Sequence, residues 1–408
     1  MERTNPRCAG IDVHKDTLAV CVRVDGRWSV HSYGATSREI LRLGDELAAA
    51  GVRIVAMEAT GVYWKPVWNL LEDRFELMLV NARHVQRVPG RKTDVTDAQW
   101  LAELLEHGLL RASFVPPLAQ RELRDLTRQR TQLLGDRARV LNRMQKVLES
   151  ANLKLGSVFS DLGGVSGRKV LHAVAEGQLS LEQMVDLIDP RMEAKKPRLR
   201  EALIGRVSAH QRFMIRQLLD QMRYLDGQID DFDRRIEEVM SPLERESVRK
   251  LDEIPGFDRR TAQNVLAEIG TDMSRFPSAA HLSSWAGLCP GNNESAGKRR
   301  GGRLRKANRW LKAALTQAAW GASRTRRSYF AQQHRRLAAR RGLKRATIAV
   351  AHSLLVVSYH LVALRELVYQ DLGADYFTRA ADPQREAHGL LKRLERLGYQ
   401  VTVQHAAA

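Results

Sequence analysis

The order of apolar and polar positions divides the chain into two regimes. Up to about residue 112, short apolar runs alternate with amphipathic stretches; beyond it the spacing is helical almost throughout. Residues 8–24 (CAGIDVHKDTLAVCVRV) are apolar and β-branched. They predict one strand bending into a second, with Asp25-Gly26 as a hairpin turn into a third strand over 28–33. Ser37 predicts the cap of a helix running to about Ala50, with Glu39 in its first turn. Residues 53–58 (RIVAME) and 76–80 (ELMLV) predict buried strands around a helix over 62–72. Thr93 predicts the cap of a helix from Asp94 to about His107.

Three strands followed by α-β-α-β-α predict a mixed sheet flanked by helices, as in the ribonuclease H-like fold. The expected fold class is therefore α/β plus α. Residues 118–150 and 210–248 carry apolar positions at helical spacing, and two such helices predict an antiparallel coiled coil, a spacer or dimer arm, around a helical insertion at about 155–207. Ile254-Pro255-Gly256-Phe257 before a helix over 258–269 resembles a helix-hairpin-helix element, in which Gly256 would let backbone amides approach a phosphate. The expected organisation is a metal-binding domain over 1–112, a helical linker over 113–250, a C-terminal domain over 251–370 and a tail over 371–408.

Charge changes the picture. With 66 basic and 47 acidic residues the formal charge is +19, which points to a polyanion as partner. No Asp or Glu lies between Glu294 and Glu366, while Lys298, Arg299, Arg300, Arg303, Arg305, Lys306 and Arg309 open a long cationic run. A stretch of one sign repels itself unless an anion binds it, so these residues are candidates for nucleic-acid contact. Three cysteines without CxxC spacing predict neither a disulfide framework nor a zinc knuckle, and a cytoplasmic setting. The polar N-terminus predicts no signal peptide, and the apolar stretch 346–364 carries two His, two Ser and a Tyr. It reads as a buried helix, so no membrane is expected.

Four carboxylates are candidates for chemistry. Asp12 sits between Ile11 and Val13 inside the first strand, where a charge is costly unless paired or bound to metal. Glu58 ends its strand, and Asp94 and Asp97 share one face at the start of a helix. Hard oxygen ligands at this density suit Mg²⁺ or Mn²⁺. Asp16 reads as part of the bend, and His14 as a neighbour of the site or a surface residue. Ser295 lies in a Gly-rich loop just before the basic run. It is either a hydrogen-bond donor in a phosphate nest or a nucleophile; as a nucleophile it has no neighbouring His, so its base must come from elsewhere, the carboxylate–metal site being the nearest suitable source. The expected site is then composite, closing only with DNA bound.

GIDVHKD (10–16), MEATGVYWKP (57–66), RKTDVTDAQWLAELL (91–105), IPGFDRRTAQNVLAEIG (254–270) and WAGLCPGNNESAGKRRGGRLRKANRWLKAALTQAAW (285–320) together resemble the IS110/IS1111 insertion-sequence transposases, a family that includes Piv-type DNA invertases. The resemblance spans almost the whole chain. It implies a RuvC-like domain with Asp12, Glu58, Asp94 and Asp97 as a DEDD metal site, a coiled-coil linker, and a C-terminal transposase domain in which Ser295 is the nucleophile. It further implies recombination of donor and target DNA through a phosphoserine link, a noncoding guide RNA, and dimers or tetramers in a bacterial cytoplasm, at the nucleoid. Two features depart from the pattern. Many members carry paired serines where this chain has Ser295 alone, and the 155–207 insertion is longer than in compact members. The competing readings are a RuvC-like Holliday-junction nuclease, which needs no serine, and a non-catalytic nucleic-acid-binding protein, in which the carboxylates are dispensable.

Overall fold

The computed structural model describes residues 3–58, 61–81, 94–290, 294–295, 298–299, 307–379 and 383–401. It forms two compact units, residues 1–116 and 117–408.

In the first unit, β1 (Arg7–Val13), β2 (Thr17–Val24), β3 (Arg27–Gly34), α1 (Ser37–Ala49), β4 (Ile54–Glu58), α2 (Trp64–Leu71), β5 (Glu76–Val80) and α3 (Asp94–Glu106) follow in order. One sheet runs β3-β2-β1-β4-β5; β2 is antiparallel to β1 and β3, and β4 is parallel to β1 and β5. This is the ribonuclease H-like mixed sheet that the periodicity predicts. Asp25 and Gly26 carry φ of 51° and 90°, as a two-residue turn between twisted strands requires. The start of α1 differs in detail from expectation. Thr36, not Ser37, occupies the cap position, and it makes no side-chain cap bond. The side chains of the strands alternate between two apolar layers. Ile11, Val13, Val55 and Met57 pack on Ile40, Leu43 and Leu47 of α1 and Val67 and Leu71 of α2. Cys8, Ile54 and Ala56 pack on Leu101, Leu104 and Leu105 of α3 on the other face.

In the second unit, α4 (Leu118–Ser150) and α8 (Ala209–Val239) lie antiparallel. Between them in sequence come α5 (Val165–Glu176), α6 (Leu181–Val185) and α7 (Lys196–Ala202), the expected helical insertion. Its Val170, Leu171, Leu199 and Leu203 share a core with Val140, Met144 and Leu148 of α4 and Ile215 and Leu218 of α8. The other ends of the pair, at Leu123 and Ile236, enter a second core. That core is built with α9 (Pro242–Asp252), α10 (Arg259–Ile269), α11 (Ala279–Trp285), α12 (Arg309–Arg324), α13 (Tyr329–Arg341) and α14 (Leu343–Ala363). Helical spacing to Val248 suggested one long helix, but the chain breaks at Met240. Ser241 Oγ accepts from the Glu244 amide and Pro242 takes the first helical turn, so a new helix starts there. The apolar stretch around 346–364 is α14; it is long and apolar enough to cross a membrane, yet Val350, Ala351, Leu354 and Leu355 are fully buried in this core. Two helices, α15 (Tyr376–Arg379) and α16 (Pro383–Arg396), follow.

Candidate active site

A glycine sets how closely α3 approaches the strand that carries Asp12. Cys8, Gly10 and Asp12 alternate onto the α3 face of β1. A Cβ on Gly10 would lie 2.5 Å from Ala102 N and 2.6 Å from Ala98 O, so α3 crosses β1 with its backbone against the strand. Cys8, one step back on the same face, reaches Ala102 O at 3.6 Å. The C-terminal half of α3 thus covers the start of β1, and its first turn lies toward the strand's C-terminal end, where Asp12 is. In the parallel ladder Ile11 pairs with Met57; the next step brings Asp12 level with Glu58 on the same face.

Asp12 is 8% exposed and its carboxylate lies 3.2 Å from Nε2 of the half-exposed His14. That contact makes His14 a neighbour of Asp12. Glu58 and Asp97 are half-buried. Asp94 begins α3, with its side chain outside the described residues. Among the described residues no three His, Cys, Asp or Glu side chains come close enough together to hold a metal ion. Burial pushes the Cys8 thiol up to about 12 and the Cys21 thiol up to about 11, so neither is a thiolate at neutral pH.

Where the sequence predicts a loop, the backbone of Ser295 lies in a short hairpin, β6 (Glu294–Ser295) pairing antiparallel with β7 (Lys298–Arg299). Ser295 is opposite Lys298, at the closed end of the ladder. The side chains of Ser295, Lys298 and Arg299 are outside the described residues, as are Arg300, Arg303, Arg305 and Lys306 entirely. Arg309 is exposed and lies 4.8 Å from the Trp310 ring. The cationic surface continues over exposed Arg335, Arg340, Arg341, Lys344 and Arg345 around the α13–α14 turn.

Gly256 has a packing reason. Its φ is +88°, and a Cβ there would lie 2.2 Å from Ala318 O and 2.3 Å from Ala322 N of α12. The Phe257 amide is already bonded to Ile254 O at 2.9 Å. The glycine thus seats the turn directly on the helix that follows the serine segment.

Sequence reasoning missed a buried polar cluster beside that helix. Glu268, 2% exposed, receives both Nε and Nη2 of Arg128, at 2.7 and 2.8 Å, and Nδ2 of Asn308 at 2.6 Å. Arg124 donates to the Ala267 carbonyl at 2.9 Å and to that of Glu268. Burial pulls Arg124 down to about 10 against the opposing pull of Glu268. In the sequence these arginines look like the solvated face of a charged helix; no local signal separates them from their exposed neighbours.

A ribonuclease H-like sheet with carboxylates at its strand ends, and a separate basic helical unit, define a class of DNA-processing enzymes. Comparison with known families narrows it. A family model described as a transposase, of the DEDD type of IS110 elements, matches residues 9–153. A second, described as the transposase IS116/IS110/IS902 family, matches residues 248–335. The chain belongs to the IS110 family of transposases. It is also similar to the insertion element IS116 uncharacterized 44.8 kDa protein of Streptomyces clavuligerus, at 26% identity over 290 residues, covering 62% of this chain and 71% of that one.

Proposed function

We propose that the protein cleaves and rejoins DNA strands through a phosphoserine intermediate on Ser295. The observation that carries this is the position of Ser295 at the closed end of a hairpin that opens into the cationic run. In this reading the nucleophile precedes the residues that hold a strand by its phosphates. The Ser295 oxygen attacks phosphorus and its proton passes to a base. The bond from phosphorus to one sugar oxygen breaks, and that oxygen leaves with a proton. Attack by a sugar hydroxyl on the phosphoserine then restores the phosphodiester and frees the serine, with no net loss of bonds.

Asp12, Glu58, Asp94 and Asp97 would hold Mg²⁺ or Mn²⁺. The donor set fits such an ion: all four are carboxylates, and Asp12 and Glu58 share a face and a strand end, toward which the first turn of α3 lies. When bound, the ion supplies Lewis acidity toward a phosphoryl oxygen. His14, 3.2 Å from Asp12, orients that carboxylate. Donor and target DNA are the substrates. The exposed cations from Arg309 to Arg345 extend beyond the serine segment and support binding of a structured guide RNA as well. The long α4–α8 pair is suited to hold two or more copies together.

The test is Ser295→Ala against Asp12→Asn. Ser295→Ala should bind DNA yet lose both cleavage and the denaturant-resistant protein–DNA adduct. Asp12→Asn should lose recombination while keeping its fold. Cleavage that persists in Ser295→Ala would mean water is the nucleophile, as in a RuvC-like junction nuclease.

A further inference from the structure

We propose that Glu268 is a positioning residue for the serine hairpin, acting through Asn308. The inference rests on reading Ser295 as the nucleophile. Asn308 lies downstream of the serine segment, immediately before α12. Its Oδ1 accepts from the amides of Trp310 and Leu311 at 3.0 and 3.2 Å, capping α12. Its Nδ2 donates to Glu268 Oε2 at 2.6 Å. One side chain therefore starts the helix and fastens that start to α10. An aspartate would cap as well, but it has no donor to offer Glu268.

Glu268 passes the connection on. The paired bonds from Arg128 lock it to α4, and the Arg128 guanidinium also lies 5.9 Å from the ring of Trp310, two residues beyond the cap. The far stem of the serine segment is thus held at one point, by α4 and α10 together. A helix start needs no such arrangement. A plain cap is satisfied by water or one hydroxyl, whereas burying a carboxylate with guanidinium partners is costly, and its best-attested use is to select a single arrangement. What it selects here is the point from which the chain that follows Ser295 and its basic run departs.

The experiment uses the full chain with Asn308→Asp, Glu268→Gln, and both together. Asn308→Asp keeps the cap but sets two carboxylates against each other. It should slow adduct formation roughly tenfold to a hundredfold, the loss expected of one charge-assisted hydrogen bond, with DNA affinity unchanged. The double variant exchanges amide and carboxylate, and should recover most of the rate. Adduct formation at the wild-type rate in Asn308→Asp overturns the proposal. So does a double variant that melts like wild type but stays as slow as the single one. Hydrogen exchange on the free protein provides a readout that does not depend on the serine chemistry. Asn308→Asp should raise exchange across 294–310 while α10 stays protected. If wild type forms no adduct at all, the phosphoserine reading falls, and the anchor is decided by exchange alone: unchanged exchange across 294–310 overturns it.

Discussion

Arg130 and Asp233 meet across the α4–α8 pair, Nη1 to Oδ1 at 2.7 Å, with the guanidinium wholly shielded from solvent. One heptad further along each helix, Arg137 reaches Asp226 at 2.6 Å. Both arginines occupy seam positions between Leu123 and Met144, where a coiled coil ordinarily places apolar residues. Sliding one helix past the other would leave charges buried without partners, so the two ion pairs hold the antiparallel register. Arg130 also donates to Gln263 and Asn264, at 2.5 and 2.8 Å, which ties the seam to α10.

Removing Arg130 alone should therefore be severe. Arg130→Met is expected to cost about 3 kcal/mol, because Asp233, Gln263 and Asn264 lose their shared donor. Denaturant unfolding of Arg130→Met, Asp233→Leu and the double variant checks this. The double variant should be less destabilised than the sum of the singles; simple additivity would mean the two side chains do not act as a pair.

The same cluster sets an acid limit. Burial raises the Asp233 carboxyl, but the hydrogen bonds from Arg260 and Arg130 outweigh it and hold the group below the usual carboxylate range. Glu237 is held low by Arg259, against its own burial. A carboxylate with a depressed folded pKa contributes stability that is present above its unfolded value, near pH 4, and lost as pH falls through the folded one. Melting temperature should thus drop below about pH 4, and Asp233→Asn should drop less steeply over that window. An acid limb of wild-type steepness in Asp233→Asn would show that Asp233 does not contribute to it.

Gly10→Ala should disturb the carboxylate end of the sheet without touching a carboxylate. The added methyl would meet backbone atoms of α3, which cannot swing aside, so α3 must lift from β1. About 3 kcal/mol of destabilisation is expected. Divalent-cation binding, followed by calorimetry, should weaken even at temperatures where the variant is fully folded. Binding as tight as wild type would separate α3 from the proposed metal site.

The basic segment should announce itself through salt. Replacing Arg299, Arg300 and Arg303 with Ala should weaken DNA binding and lower the slope of log K against log[salt] by about one unit per lost phosphate contact. An unchanged slope would place these residues away from phosphate.

Much of this protein is written locally. The RIVAME and ELMLV runs are strands because β-branched and apolar residues cluster in them, and the observed strand 76–80 matches the predicted span. The helix over 118–150 is equally legible, since helical periodicity over so many turns has one outcome. Asp12 is conspicuous because its neighbours are apolar, and the cationic run because carboxylates vanish from it; the motifs around both carry the family. Tertiary structure decided what spacing could not. Arg124, Arg128 and Arg130 look like the wet face of a helix, and only α8 and α10 turn them into partners of Asp233 and Glu268. Gly10 and Gly256 read as a strand residue and a phosphate turn; helices that approach from far along the chain explain both by close backbone contact. Asn308 carries no distinguishing signal in the sequence, and only the packing of α10 brings the Glu268 carboxylate to it. A local pattern is set by which side chains follow one another along the chain. A buried polar contact is set by which elements meet, and that is fixed only once the apolar faces have chosen their neighbours.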